Sequence, residues 1–159
     1  MALHEGQAYR ENGVSLEAPV PAIMRAAPLA EDVRASEGHW LADALSDDSV
    51  YYFAVCENGK VVGQVLLHDI DHENKTALVA YALFQPGSRR RGTGTTMLKL
   101  LQRFVVEATA IEKLVIITSR DNPASQRIAE KCGFKFSGTS REDPVNGMVF
   151  EWETRWKKS

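Results

Sequence analysis

From Tyr51 onward the spacing of apolar residues changes several times, and each change predicts an element. Tyr51-Tyr52-Phe53-Ala54-Val55-Cys56 and Val61-Val62-Gly63-Gln64-Val65-Leu66-Leu67 are rich in β-forming residues. Asn58-Gly59 between them supplies the positive φ angles of a type I′ turn, so the pair reads as a hairpin. Asp69 to Lys75 is polar and predicts a loop, after which Thr76 to Phe84 returns as a third antiparallel strand. From Thr95 to Ala110 the spacing becomes helical: Met97, Leu98, Leu101, Phe104, Val105 and Ala108 share one face. Leu114-Val115-Ile116-Ile117-Thr118 is continuously apolar and predicts a strand buried on both faces, parallel to the third strand. A second helix follows, with Asn122 as cap, Pro123 at its first position and Gly133 at its left-handed C-terminal position. Phe134 to Ser137 reads as a short strand and Asp143 to Gly147 as a turn. Met148 to Trp156 reads as a last strand with Phe150, Trp152 and Trp156 on one face.

The N-terminal part is less regular. Residues 1–13 carry no clear period and read as a mobile arm or an added strand; residues 14–159 read as one domain. Val14 to Leu16 opens a strand that Val20 to Ala26 continues past Pro19 and Pro21. Pro28 then starts a helical region in which Leu29, Val33, Trp40, Leu41, Ala44 and Leu45 share a face, broken at Gly38. The order predicts an α/β class with a mixed sheet: an antiparallel meander, then β-α-β-α, then two C-terminal strands.

Composition narrows the partners. A chain of 159 residues is long enough for one domain with a real core. The formal net charge of −2 gives no support for nucleic acid as a partner. Cys56 and Cys132 both fall in apolar elements and read as buried free thiols of a reducing compartment, with a disulfide as the lesser alternative. No signal peptide and no membrane-spanning run is visible, so the expected location is cytoplasmic.

The candidate chemistry lies in Phe84-Gln85-Pro86-Gly87-Ser88-Arg89-Arg90-Arg91-Gly92-Thr93-Gly94-Thr95-Thr96, between a strand and a helix. Backbone N–H groups, a helix N-terminus and arginines together can hold a polyphosphate. Gly87 and Gly92 have P-loop spacing, but Thr93 stands where lysine is required. Gly92 and Gly94 fit a dinucleotide fingerprint, but Met97 replaces its third glycine; Asp121 keeps that alternative open.

Arg89-x-x-Gly92-x-Gly94 is similar to the Gln/Arg-x-x-Gly-x-Gly/Ala signature of the GNAT superfamily of acyl-CoA-dependent N-acyltransferases. Asn122 to Phe134, with Ser125, Glu130, Lys131, Gly133 and Phe134, resembles that family's second conserved segment in the style of its ribosomal-protein N-terminal acetyltransferase branch. The resemblance implies a GNAT-like fold with a V-shaped opening between the third strand and Leu114–Thr118. It implies acetyl-CoA as donor, held by Leu83, Phe84, Arg89, Arg90, Arg91, Gly92, Thr93, Gly94, Thr95, Asn122 and Ser125, with the Phe84 backbone polarising the thioester. It implies an amine acceptor, either a small molecule or a protein N-terminus, no metal, and a monomer or homodimer. Two departures stand out. Arg90 replaces a frequent glycine, and Ala129 replaces the tyrosine that protonates the leaving thiolate in many members. Ser125 is the candidate acid in its stead, and its hydroxyl is equally suited to capping the helix. The alternative function is a non-catalytic acyl-CoA-binding module. For a general base the candidates are His68, Asp69, Asp71, His72 and Glu73, and Tyr81 is a candidate for shaping the acceptor pocket.

Overall fold

The computed structural model describes residues 8–17, 50–83 and 92–157. The predicted continuation through Val20–Ala26, the helical region after Pro28, and Phe84 with Arg89, Arg90 and Arg91 lie outside the described residues. Among the described residues, eight strands form one sheet in the order β1-β2-β3-β4-β5-β6-β8-β7. They are β1 (Ala8–Glu11), β2 (Val14–Glu17), β3 (Tyr51–Glu57), β4 (Lys60–Asp71), β5 (Thr76–Leu83), β6 (Lys113–Ser119), β7 (Lys135–Thr139) and β8 (Gly147–Glu153). Helix α1 (Thr93–Ala108) joins β5 to β6, and α2 (Pro123–Lys131) joins β6 to β7. No described helix is long and apolar enough to cross a membrane.

Of the two readings of residues 1–13, the added strand holds over Ala8–Glu11, which pairs antiparallel with β2. Its turn is a second Asn-Gly pair: Asn12 and Gly13 have φ of 51° and 79°, beside 51° and 84° for Asn58 and Gly59. The two turns stack, with Asn58 N donating to Gly13 O at 2.9 Å.

β1 to β5 are antiparallel throughout, and among the described residues β5 pairs parallel with β6 at only three positions, Thr76 to Leu78 against Lys113 to Val115. Beyond Leu78, β5 continues along β4 to Leu83, and beyond Val115, β6 continues along β8 to Ser119. The sheet therefore forks, and this is the V-shaped opening expected from the resemblance. α1 packs on β1 and β2, α2 packs on β6, and the helices meet each other. The main core lies under them, with Phe53, Met97, Leu98, Leu101, Phe104, Leu114, Phe150 and Trp152 buried. A second cluster, Tyr52, Ala54, Cys56, Val61 and Leu66, is buried apart from that core.

Several boundaries differ from the sequence expectation. β4 runs to Asp71, so the expected Asp69–Lys75 loop shrinks to a turn. Asp71 Oδ1 accepts from the N–H groups of Glu73 and Asn74 at 3.0 Å each and so closes it. α1 covers Thr93–Ala108 rather than 95–110, because Thr109 turns extended and its hydroxyl donates to Val105 O. β6 is not buried on both faces: Leu114 and Ile116 are buried while Ile117 is 49% exposed. Trp156 belongs to a 3₁₀ turn (Thr154–Lys157) rather than to β8, and Lys135 Nζ lies 4.5 Å from its ring centre. β7 starts at Lys135 and pairs only with β8, at the sheet edge. The C-terminus of α2 follows expectation. Gly133 has φ 85°, its N–H reaches Glu130 O, and Phe134 N–H reaches Ala129 O, a Schellman motif.

Both cysteines are free and buried. Burial and the Glu17 carboxylate push the Cys56 thiol up to about 12, and burial pushes Cys132 up to about 11. Raised values keep both thiols protonated at pH 8. The folded protein should leave a disulfide-exchange thiol reagent almost unreacted at pH 8, and both thiols should titrate in guanidinium. Fast stoichiometric labelling of the folded chain would contradict this burial.

Candidate active site

Three element ends converge where the fork opens. β5 ends at Leu83, α1 starts at Thr93, and α2 starts at Pro123 just beyond β6. Close approach is enforced at Gly94. A Cβ there would lie 2.6 Å from Ile128 Cδ1 of α2 and 3.6 Å from Leu83 Cδ1 of β5. Gly92 caps α1 in the left-handed region at φ 75°, with no side chain capping the helix. No acidic residue occupies the first turn of α1, so its N-terminal N–H groups and partial positive charge remain suited to an anion. Thr93 is 1% exposed, and its hydroxyl donates to the Glu57 carboxylate. Its side chain is thereby committed to β3. Leu83, Gly92, Thr93, Gly94 and Thr95 thus share one junction, and Asn122, the cap of α2, and Ser125 in its first turn stand beside it.

The first turn of α2 separates the two roles considered for Ser125. Asn122 Oδ1 accepts from Ser125 N–H at 3.1 Å and is the cap. The Ser125 hydroxyl does not cap the helix; it lies 2.6 Å from the phenol oxygen of Tyr81. Tyr81 sits three residues past the last β5–β6 pair, so this bond joins one arm of the fork to the helix that follows the other arm. Burial pushes the Tyr81 phenol up, and its hydrogen bond with Ser125 offsets part of that rise. It therefore stays protonated at neutral pH. Ala129 lies one helical turn beyond Ser125 and is completely buried in the core, where the missing tyrosine would have to begin.

The candidate bases are not brought to Ser125. Asp71, His72 and Glu73 sit at or in the turn before Thr76, at the closed end of the fork; Thr76 is five residues, roughly 16 Å, from Tyr81 along β5. Hydrogen bonds from Asn74 and Glu73 lower the Asp71 carboxyl below the usual range, which makes it a weaker base. His68 pairs with Leu78, whose side chain points to the sheet face opposite that of Tyr81, and His68 Nδ1 lies 2.6 Å from Asp69 Oδ2. Among the described residues, no three His, Cys, Asp or Glu side chains converge as a metal site would require.

The sequence reading missed the link between Tyr81 and Ser125. Nothing local could have shown it, since it depends on the register of β5 and on where α2 starts. The period-2 pattern of β5 does put Tyr81 on the face of Ala77, Val79 and Leu83, toward the helices. The dinucleotide alternative loses its frame. A doubly wound sheet needs parallel neighbours, and here β5–β6 is the one parallel pairing among the described strands.

Comparison with known proteins agrees with this fold. The family described as "Acetyltransferase (GNAT) domain" matches residues 15–135. A curated relative, the SPbeta prophage-derived uncharacterized N-acetyltransferase YokL of Bacillus subtilis (strain 168), is 29% identical over 103 residues. That match covers 65% of this chain and 58% of the relative's length. Among solved structures, the spermidine N-acetyltransferase from Vibrio cholerae in complex with CoA and spermine aligns with a TM-score of 0.75 at 14% identity, over 91% of this chain and 98% of that one. The ribosomal-protein-S5-alanine acetyltransferase from Vibrio fischeri aligns with a TM-score of 0.73 at 12% identity, over 93% of this chain and 97% of that one. At these identities the structural matches establish a shared fold.

Proposed function

Because the chain belongs to the GNAT acetyltransferase family, we propose that it transfers an acetyl group from acetyl-CoA to a primary amine, by direct attack and without a covalent enzyme intermediate. The observation that carries this reading is the fork, which opens beyond Leu78 and Val115 with the α1 N-terminus and Ser125 at its mouth. The donor's pantetheine lies in the opening. Its pyrophosphate accepts N–H groups from the Arg89–Thr95 segment, with an arginine side chain adding charge-assisted bonds. The backbone of Phe84 polarises the thioester carbonyl and holds the oxyanion that forms on attack.

The amine enters neutral. As its nitrogen bonds to the carbonyl carbon, the carbonyl electrons move to oxygen, and the ammonium proton then passes to water. On collapse the C–S bond breaks with its electron pair on sulfur. Ser125 presents its hydroxyl to that sulfur, and the thiol proton comes finally from water. A thiol with a pKa near 8.5 is a fair leaving group at neutral pH, so one hydrogen bond at sulfur suffices without a tyrosine at position 129. The acceptor is a small-molecule amine or a protein N-terminus, and two buried free thiols fit a reducing compartment such as the cytoplasm.

The fully buried methyl of Ala129 favours one other reading, a non-catalytic acyl-CoA-binding module. Incubation with acetyl-CoA and a panel holding spermidine and peptides with free N-terminal Ala or Ser, followed by thiol detection, separates the two. Turnover is expected, and Ser125→Ala should lower kcat by about tenfold or more while leaving KM for acetyl-CoA near its original value. Tight CoA binding with no thiol release across the panel would favour the binding module.

A further inference from the structure

The Ser125 hydroxyl has one hydrogen and two lone pairs. To serve a departing sulfur it must keep that hydrogen free and hold its rotamer. Its backbone N–H is already engaged by Asn122, and the phenol of Tyr81 stands 2.6 Å from its oxygen. A hydroxyl that gave its hydrogen to Tyr81 would have none to offer sulfur. One that accepts from Tyr81 has its oxygen fixed and its hydrogen released. We propose that Tyr81 is a positioning residue for the leaving-group step: its phenol donates to Ser125 Oγ and so directs the Ser125 hydrogen toward the thioester sulfur. The inference rests on the acetyltransferase reading above.

Three observations support it. Tyr81 lies beyond the last β5–β6 pair, on the strand that borders the opening, and its hydroxyl crosses to Ser125 of α2. Ser125 is 8% exposed, so water competes poorly for its oxygen. Ser125 and Ala129 stand at i and i+4 on one face of α2. A phenol absent from α2 at position 129 is thereby supplied from β5, one helical turn nearer the start of the helix. The phenol acts through serine, so Tyr81 need not touch the substrate.

Tyr81→Phe keeps the ring and removes only the hydroxyl. With spermidine or an Ala-initiated peptide as acceptor, it should lower kcat about fivefold to tenfold, with KM for acetyl-CoA and the melting temperature nearly unchanged. In a Ser125→Ala background the same change should have almost no further effect, because the hydroxyl it orients is gone. An acceptor-independent measurement follows the ultraviolet band of the CoA thiolate in the CoA complex. The bound thiol should titrate about half a unit or more higher in Tyr81→Phe than in the original protein, and Ser125→Ala should shift it likewise. Equal kcat and equal thiol titration in Tyr81→Phe would overturn the inference while leaving the acetyltransferase reading intact. Full additivity with Ser125→Ala would also overturn it, assigning Tyr81 an independent role. Failure of the original protein to bind CoA would remove both readings together.

Discussion

Truncation of Phe104 to alanine is expected to cost about 3–5 kcal/mol, a large share of the stability of a domain this size. Phe104 is 2% exposed on the inner face of α1. Its ring meets Tyr9 of β1, Tyr51 and Phe53 of β3 edge-on, with centroids at 5.8, 5.6 and 4.8 Å. Such pairs add about 0.5–1.5 kcal/mol each beyond the area they bury, and they couple strongly because they share one ring. Tyr9 is tied further by Arg103, whose guanidinium lies 5.0 Å from its ring centre. Loss of Phe104 should therefore loosen β1 as well as α1. At about 2–4 °C per kcal/mol for a chain this long, the melting temperature should fall by roughly 6–20 °C. A fall of under about 2 °C would mean that α1 is not anchored through this ring.

The second large effect is expected at Gly63. A Cβ there would lie 2.4 Å from Ala82 O and 3.2 Å from Leu83 Cα, both backbone atoms of β5. No rotamer change can relieve that contact, so Gly63→Ala must move the end of β5 away from β4. Overpacking of this kind costs about 1–3 kcal/mol and occasionally more. The displaced residues border the proposed donor site, so KM for acetyl-CoA should rise about tenfold or more, beyond what the loss of stability explains. Gly59→Ala is the control. Its Cβ meets nothing within 4 Å, and it carries only the strain of φ 84°, about 1–2 kcal/mol. Equal donor KM in the two variants would show that the end of β5 does not form the donor site.

Legibility followed the range of the interactions. Asn58-Gly59, Asn122-Pro123 and Gly133 specify turns and caps through neighbouring dihedrals, and each appears in the structure where the sequence put it. Asn12-Gly13 carried the same turn signal, but its flanking strands of four residues each are too short to show a period. The apolar run of β6 misled, because an apolar pentapeptide does not say which face is covered: Ile117 remains half exposed. The Asn-x-x-Ser spacing located Ser125 but not the destination of its hydroxyl, since Tyr81 arrives from 44 residues away. The placement of the candidate bases was illegible for a related reason. They are close to Tyr81 in sequence, yet strand geometry carries them to the other end of β5 or to the other face.

The fork also bears on how the molecule holds together. Strands β1 to β5 make one raft and β6 to β8 another, and among the described residues only three pairs are shared between them along the sheet. Each raft carries its own helix, α1 on the first and α2 on the second. The seam is closed above the sheet, where Gln102 Nε2 of α1 donates to Cys132 O at 2.8 Å just past α2, and Gly94 admits Ile128. Helix-to-helix contact thus does the joining that hydrogen-bonded strands do elsewhere in the sheet. A molecule seated in the gap would act as a splint between the rafts, so occupancy and rigidity of the chain are coupled by its topology.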